Sequence, residues 1–295
     1  MGNKNISKLG EFGLIEKLKR FQNLLPGVVK GIGDDAAVLK LDSRRYLLFT
    51  TDMLSEGVHF LRSTPPELIG RKALACSISD IAAMGGTPTV AVVSIGLPGK
   101  TAVDRVAKIY QGMLLLAKKF GVSIVGGDTI RADKLVINVA LLGEVEKKYL
   151  VTRDGAKAGD GIFVSGPLGN SLKSGRHLTF TPRVKEARFL VKNFKPSSMM
   201  DISDGLAGDL GHILKASGVG AVLDVAGVPL NRKAGLDQAL CDGEDFELLF
   251  TLPAHCAERL LASRSKVFKF YPVGKIVPSS AGFRLRLKDG KFVSL

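Results

Sequence analysis

The chain has 295 residues, 45% apolar and 24% charged, the composition of a globular protein with room for two ordinary domains. Its longest apolar run, around TVAVVSIGLP, falls short of the ~18 residues that a membrane-spanning helix needs. Cys76, Cys241 and Cys256 form no Cys-x-x-Cys pair and the four histidines no His-x-x-x-His pair, which argues against a disulfide framework and the common zinc signatures; the net charge of +14 comes from scattered Lys and Arg, read as solvated surface that also attracts anionic small molecules.

The N-terminal MGNKNISKLGEFGLIEKLKR has no apolar h-region followed by a small-residue cleavage site, and Ile6 breaks the myristoylation pattern. With cysteines suited to a reducing compartment, a cytoplasmic location is expected. After Ser7 the same stretch reads as a short amphipathic helix. GIGDDAAVLK then sets Asp34 beside Asp35, either as a solvated turn or around a cation. RRYLLFTTDML reads as a buried strand from Tyr46 to Thr51 that ends in an acidic loop. PELIGRKALACSISDIAAMGG is a helix, with Pro66 in its first turn and Gly85-Gly86 stopping it. The strand TPTVAVVSIGLP, a helix closed by Gly121, and the strands VSIVGGD and KLVINVALLGEV follow.

RDGAKAGDG is a Gly-rich polar hinge, and a fresh series of strands and helices begins at GIFVSGPLG. The boundary is placed near residue 148, giving domains 1–148 and 149–295. The second half reads as helices PRVKEARFLVKNF and SDGLAGDLGHILKASG, strands GAVLDVAG and DFELLFTLP, a helix from Ala254 and three short C-terminal strands.

Seven acidic residues interrupt apolar or Gly-rich context: Asp34, Asp35, Asp52, Asp80, Asp128, Asp201 and Asp204. Taken singly, each reads best as a cap, a turn residue or a paired structural charge. Jointly they deliver carboxylates beside small residues, which suits Mg²⁺ held between carboxylates and substrate phosphates. A structural Ca²⁺ role competes, without the EF-hand spacing. No P-loop, protein-kinase set or complete dinucleotide fingerprint is present, so a nucleotide would be held through metals.

The motifs GIGDDAAV, TTDMLSEGVHF, KALACSISDIAAMGG, GGDTIRAD, RDGAKAGDGIFVSGPLG, MDISDGLAGDL and DGEDFELLFT occur in this order. Together, over roughly residues 8 to 252, they resemble thiamine-monophosphate kinases, of the superfamily of aminoimidazole ribonucleotide synthetase and selenophosphate synthetase. The resemblance implies a two-domain α+β / α/β fold. Its N-terminal mixed sheet binds ATP and Mg²⁺ and dimerises sheet to sheet; its C-terminal α/β domain completes the active site. It implies several Mg²⁺ ions on Asp35, Thr50, Thr51, Asp52, Asp80, Asp128, Asp201 and Asp204. ATP would meet Tyr110, Gly127, Asp128, Arg153 and Ser203, and thiamine monophosphate His59 and Glu244. The plainer readings stay open: Tyr110 as a packing residue, His59 as a polar edge residue, Arg153 as solvated.

This chain departs from the family pattern at Ser77, usually Asn, and at Asp242 and Phe246 in DGEDFE. LKDGKFVSL does not match the family's aromatic tail, which implies weaker or differently held thiamine monophosphate, with Phe292 the candidate substitute ring by position. The implied reaction is direct in-line transfer of the ATP γ-phosphoryl group to the phosphate of thiamine monophosphate. No catalytic base is assigned, because a phosphomonoester with second pKa ~6 is already largely dianionic at neutral pH. Of Asp34 and Asp35, neighbours in an extended segment, only one need face the site, and Asp35 is preferred. The rivals are another ATP-using superfamily member, a basic nucleic-acid-binding protein, and a structural metal-binding protein. A homodimer without nucleic acid or membrane is expected.

Overall fold

A computed structural model describes residues 6–263 and 268–295. Residues 1–5, part of the stretch read for targeting signals, lie outside the described residues. The first helix, α1 (Ile6–Leu18), is broken at Gly10, which adopts φ 69° and ψ 170°, so the single helix expected there is two pieces.

The first sheet holds β1 (Val28–Lys30), β2 (Ala37–Lys40), β3 (Arg45–Ser55), β4 (Thr87–Leu97), β5 (Ser123–Arg131) and β6 (Val136–Glu146). Their spatial order is β1-β2-β3-β6-β4-β5, antiparallel except between β4 and β5. Strand β3 runs on to Ser55, so Asp52 lies inside a strand rather than in the acidic loop expected after Thr51. Asp128 likewise sits within β5, not at a strand end. In both places pairing with a neighbouring strand carries the chain past its apolar run.

Helices α2 (Pro66–Ala83) and α3 (Val103–Phe120) follow β3 and β4. From Ile69 to Ala83 every residue of α2 is buried except Arg71 and Asp80. A helix enclosed on all sides must sit between layers. One side of α2 meets β3, β4 and β6, and another meets elements of the second half. Its crossing with α3 is close: a Cβ on Gly70 would lie 1.8 Å from the Ile109 carbonyl oxygen, and one on Gly112 1.9 Å from that of Glu67.

The second sheet holds β7 (Gly161–Val164), β8 (Ser198–Asp201), β9 (Gly220–Asp224), β10 (Leu248–Leu252), β11 (Tyr271–Val277), β12 (Phe283–Arg286) and β13 (Phe292–Ser294). The order is β13-β12-β9-β11-β7-β10-β8, and only β9 and β12 run parallel. Helices α4 (Ser171–Ser174), α5 (Arg176–Thr179), α6 (Val184–Asn193), α7 (Leu206–Ser217), α8 (Leu236–Cys241) and α9 (Ala254–Ala262) complete it. Each half is thus a mixed sheet with helices, the fold class expected.

Alternation along β7 joins the halves. Phe163 packs into the core that contains Leu48, Ile78 and Leu190, while Ile162 and Val164 face Leu210 and Ile213 of α7. The first core therefore runs from the first sheet through α2 to one face of the second, and seats α2 against α5, α6 and β8.

Candidate active site

Residues Thr50 and Asp52 of β3 are two apart and share the face turned to α2, along with buried Leu48 and Leu54. On α2, Ser77 and Asp80 meet them: Thr50 Oγ1 donates to Asp80 Oδ2 at 2.5 Å, and Ser77 Oγ to Asp52 Oδ2 at 2.7 Å. The next residue round, Ser79, donates to Asp201 Oδ2 at 2.5 Å at the end of β8. The helix thus binds a carboxylate from each half of the chain. Asp35, Asp80 and Asp201 each offer an oxygen, all within 4.8 Å of one another.

Three carboxylates this close, two buried and Asp80 half-buried, repel when ionised. Burial, reinforced by the neighbouring carboxylates, raises Asp80 well above the carboxylate range; burial foremost lifts Asp35 to about 7 and Asp201 to about 6, and raises Asp52 as well. Asp35 Oδ2 is buried without a hydrogen-bond partner among the described residues. A divalent cation bound by all three would supply both the missing charge and the missing partner, and an all-oxygen donor set suits Mg²⁺.

The adjacent aspartates are settled differently from one another. Asp34 is held by protein: Lys30 Nζ lies 2.9 Å from Oδ2, and the Arg153 backbone N–H points to Oδ1 at 3.2 Å. Asp35 instead joins Asp80 and Asp201 and accepts from Arg153 Nη2 at 2.6 Å. Arg153 is therefore a mostly buried bridge between the halves rather than a solvated side chain. Above the trio opens a cleft of about 770 Å³ whose lining includes Thr50, Thr51, Asp35, Arg153, Ser203 and Asp204.

His59 and Glu244 come together through a residue that sequence reasoning passed over. Lys72 of α2 is wholly buried; its Nζ donates to the His59 carbonyl at 2.9 Å and lies 2.6 Å from Glu244 Oε2. The His59 ring is fixed from the other side, its Nδ1 accepting the Ser55 N–H at 3.0 Å. Glu244 sits at φ 58°, and its N–H donates to the Ser203 carbonyl at 2.7 Å, tying it to the cleft wall. The sequence signal for Lys72 was a second cation, next to Arg71, at the start of a mostly apolar stretch of helix.

Tyr110, Gly127 and Asp128 do not join this group. Tyr110 packs half-buried against the core from α3. A Cβ at Gly127 would fall 1.7 Å from the Val93 carbonyl oxygen, so strand pairing already requires glycine there. Register places Asp128 opposite Ser94, Ser94 opposite Asn138, and Asn138 opposite Met53. Asp128 thus shares the outer face with exposed Met53, whereas Asp52 faces inward. Three strand spacings separate β3 from β5, about 14 Å at ~4.8 Å each. Phe292 is an exposed residue of β13, under the Arg284 guanidinium at 5.6 Å, and is not part of the cleft lining.

Residues 33–145 match the AIR synthase related protein, N-terminal domain, and residues 157–285 the C-terminal domain of the same description. The thiamine-monophosphate kinase of Aquifex aeolicus (strain VF5) is 38% identical, covering 84% of this chain and 87% of its own length. The chain belongs to the thiamine-monophosphate kinase family. The family member from Rhodopirellula baltica is 39% identical over 91% of this chain and 89% of its own. The solved structure of AaThiL complexed with AMPPCP and TMP matches with a TM-score of 0.86 at 34% identity, covering 100% of this chain and 98% of that one.

Two departures from the thiamine-monophosphate kinase pattern now have a setting. Ser77 keeps a polar contact to Asp52 with its shorter side chain. Phe246 needs no hydroxyl partner: its ring stacks on Phe180, with centroids 4.1 Å apart.

Proposed function

We propose that the chain transfers the γ-phosphoryl group of ATP directly to the phosphate of thiamine monophosphate, yielding thiamine diphosphate and ADP. The observation that carries this reading is the convergence of Asp35, Asp80 and Asp201 beneath a cleft bordered by Arg153 and Ser203. Its support is the similarity to a family member complexed with AMPPCP, an analogue of ATP, and TMP, here taken as thiamine monophosphate.

Several Mg²⁺ ions fit the donor set, held by Asp35, Asp80 and Asp201 with Thr50, Thr51, Asp52 and Asp204 around them. When bound, they supply screening between two polyanionic substrates and stabilise charge on the transferring group. Arg153, fixed by Asp35, binds the nucleotide phosphates; its Nε is buried without a partner among the described residues and suits a phosphate oxygen. Ser203 orients the same phosphates from the other wall. His59 and Glu244, joined by Lys72, position the acceptor. No residue takes a proton, because the acceptor phosphate is largely dianionic at neutral pH.

The working unit in this reading is a homodimer formed by the outer face of the first sheet. That face exposes Phe49, Met53, Val92, Val125 and Ile130, an apolar surface of the kind that marks an interface. Asp128, too far along the sheet to reach its own chain's trio, would serve the partner's site together with its neighbour Gly127, while Tyr110 would meet the nucleotide from α3. Residues 1–148 then carry ATP and Mg²⁺ binding and dimerisation, and residues 149–295 complete the site. The free cysteines fit a cytoplasmic location, and no helix among the described residues is long and apolar enough to cross a membrane. A cleft floored by carboxylates gives no support to the nucleic-acid reading of the +14 charge.

The test is ADP release with Mg-ATP, with and without thiamine monophosphate, together with chromatography of the product. Acceptor-dependent ADP with thiamine diphosphate formed in equal amount is expected. ADP release indifferent to thiamine monophosphate would overturn the reading.

A further inference from the structure

A second convergence of ligand atoms borders the same cleft. Asp204, Asp209 and His212 each bring one such atom within 4.8 Å of the others. Asp209 and His212 lie three residues apart on α7, which puts them on one helical face. Asp204 lies in the turn before that helix, its N–H donating to Asp209 Oδ2 at 3.0 Å.

That bond explains one oxygen of Asp209 and leaves the other. Asp209 is wholly buried, and its Oδ1 has no hydrogen-bond partner among the described residues. A residue kept only to tie down the Asp204 N–H would need a single acceptor, and Asn or Ser would serve. A buried carboxylate oxygen without a donor is costly unless something positive meets it. Asp204 and His212 line the cleft, so an ion can reach the group from solvent. The Lys and Arg side chains that line the cleft are engaged elsewhere: Arg153 with Asp35, and Lys19 and Lys215 with Glu16 at 2.8 and 3.2 Å.

We propose that Asp204, Asp209 and His212 form a cation site, separate from the Asp35–Asp80–Asp201 trio, that prefers a first-row transition ion such as Mn²⁺ or Zn²⁺ to Mg²⁺. The preference follows from the donors. Mg²⁺ favours all-oxygen octahedral shells, whereas an imidazole nitrogen raises affinity for Mn²⁺ and more so for Zn²⁺. Three ligands from one wall leave open positions toward the cleft, where water or a nucleotide phosphate can complete the shell. The inference rests on the reading of Asp204 as a cation ligand in the proposed kinase site.

The experiment uses Mn²⁺ alone, with metal-free full-length protein and no nucleotide. Binding is followed by the electron paramagnetic resonance of free Mn²⁺, and nitrogen coupling by electron spin-echo modulation. The wild type is expected to bind Mn²⁺ with an imidazole nitrogen coupling, and Mg²⁺ to compete at least about tenfold more weakly. His212→Gln and Asp209→Asn should each weaken that site by about tenfold or more and His212→Gln should abolish the coupling, while Asp80→Asn keeps both. His212 is only half-buried, so its variant is expected to fold, which circular dichroism checks. Mn²⁺ bound without nitrogen coupling, binding unchanged in His212→Gln, or no binding at all would overturn the inference. Loss in Asp80→Asn with retention in His212→Gln would overturn it too, yet leave the kinase reading intact. That reading fails separately, if no thiamine diphosphate forms.

Discussion

Lys72 Nζ lies 2.6 Å from Glu244 Oε2, an ion pair by distance though not aligned as a hydrogen bond, and its lysine reaches from α2 to a loop of the second half while wholly buried. A charge this deep is tolerable only when paired. Lys72 thus links the two halves of the chain at the point where the acceptor is proposed to bind.

Lys72→Met should destabilise the protein by about 3–5 kcal/mol, because it strands the Glu244 charge. Lys72→Met combined with Glu244→Gln should recover much of that loss, since the charge goes with its partner. In any folded Lys72→Met protein, KM for thiamine monophosphate should rise while KM for ATP holds. Chemical denaturation and steady-state kinetics check both. A Lys72→Met protein as stable as wild type would contradict the pairing.

Asp80→Asn should abolish most turnover and yet raise the melting temperature of the metal-free protein. The reason is that it removes one of three crowded, mutually repelling carboxylates. The wild type should gain several degrees on adding Mg²⁺, and the variant little. Thermal melts with and without Mg²⁺ decide it: a variant less stable than wild type without metal would show that repulsion is not the dominant effect.

The metal-free protein should lose stability as pH rises from about 4 to 7. Folding raises Asp35 from 3.8 to about 7 and Asp201 to about 6, so the folded state binds more protons than the unfolded across that window. Stability then falls with pH, and the contribution present below pH 4 is lost as pH passes the folded values. Saturating Mg²⁺ should flatten or reverse the slope, since it binds the deprotonated carboxylates. Urea midpoints at several pH values, with and without metal, measure this.

Mixing two inactive variants, Asp80→Asn and Asp128→Asn, should restore about a quarter of wild-type activity after subunit exchange. Half the dimers are then mixed, and each has one intact site out of two. No recovery would place both residues in one chain's site. Ile130→Glu, on the exposed edge strand, should shift the protein toward monomer by light scattering.

The sequence by itself determined most of the elements and the chemistry they carry. Long periodic segments such as α2, α3 and β6 were legible because apolar spacing repeats over several turns or pleats. Short pieces such as β1, β8 and α8 were not, because three to six residues give a period nothing to repeat and pairing with distant strands decides them. The unusual carboxylates were legible one at a time, as acids in apolar or Gly-rich settings. Tertiary structure alone decided which of them meet. It brought Asp35 and Asp201, far apart in the chain, within 4.8 Å of each other and of α2's Asp80, and turned Asp34 to Lys30 instead. It also put Asp128 on the outer face of the sheet, though Asp52 from the same sheet points inward. Lys72 drew no notice in the sequence, because an adjacent Arg-Lys pair on a helix is ordinarily solvated. Its meaning comes from burial and from two partners, the His59 carbonyl and Glu244, that only long-range packing brings within reach.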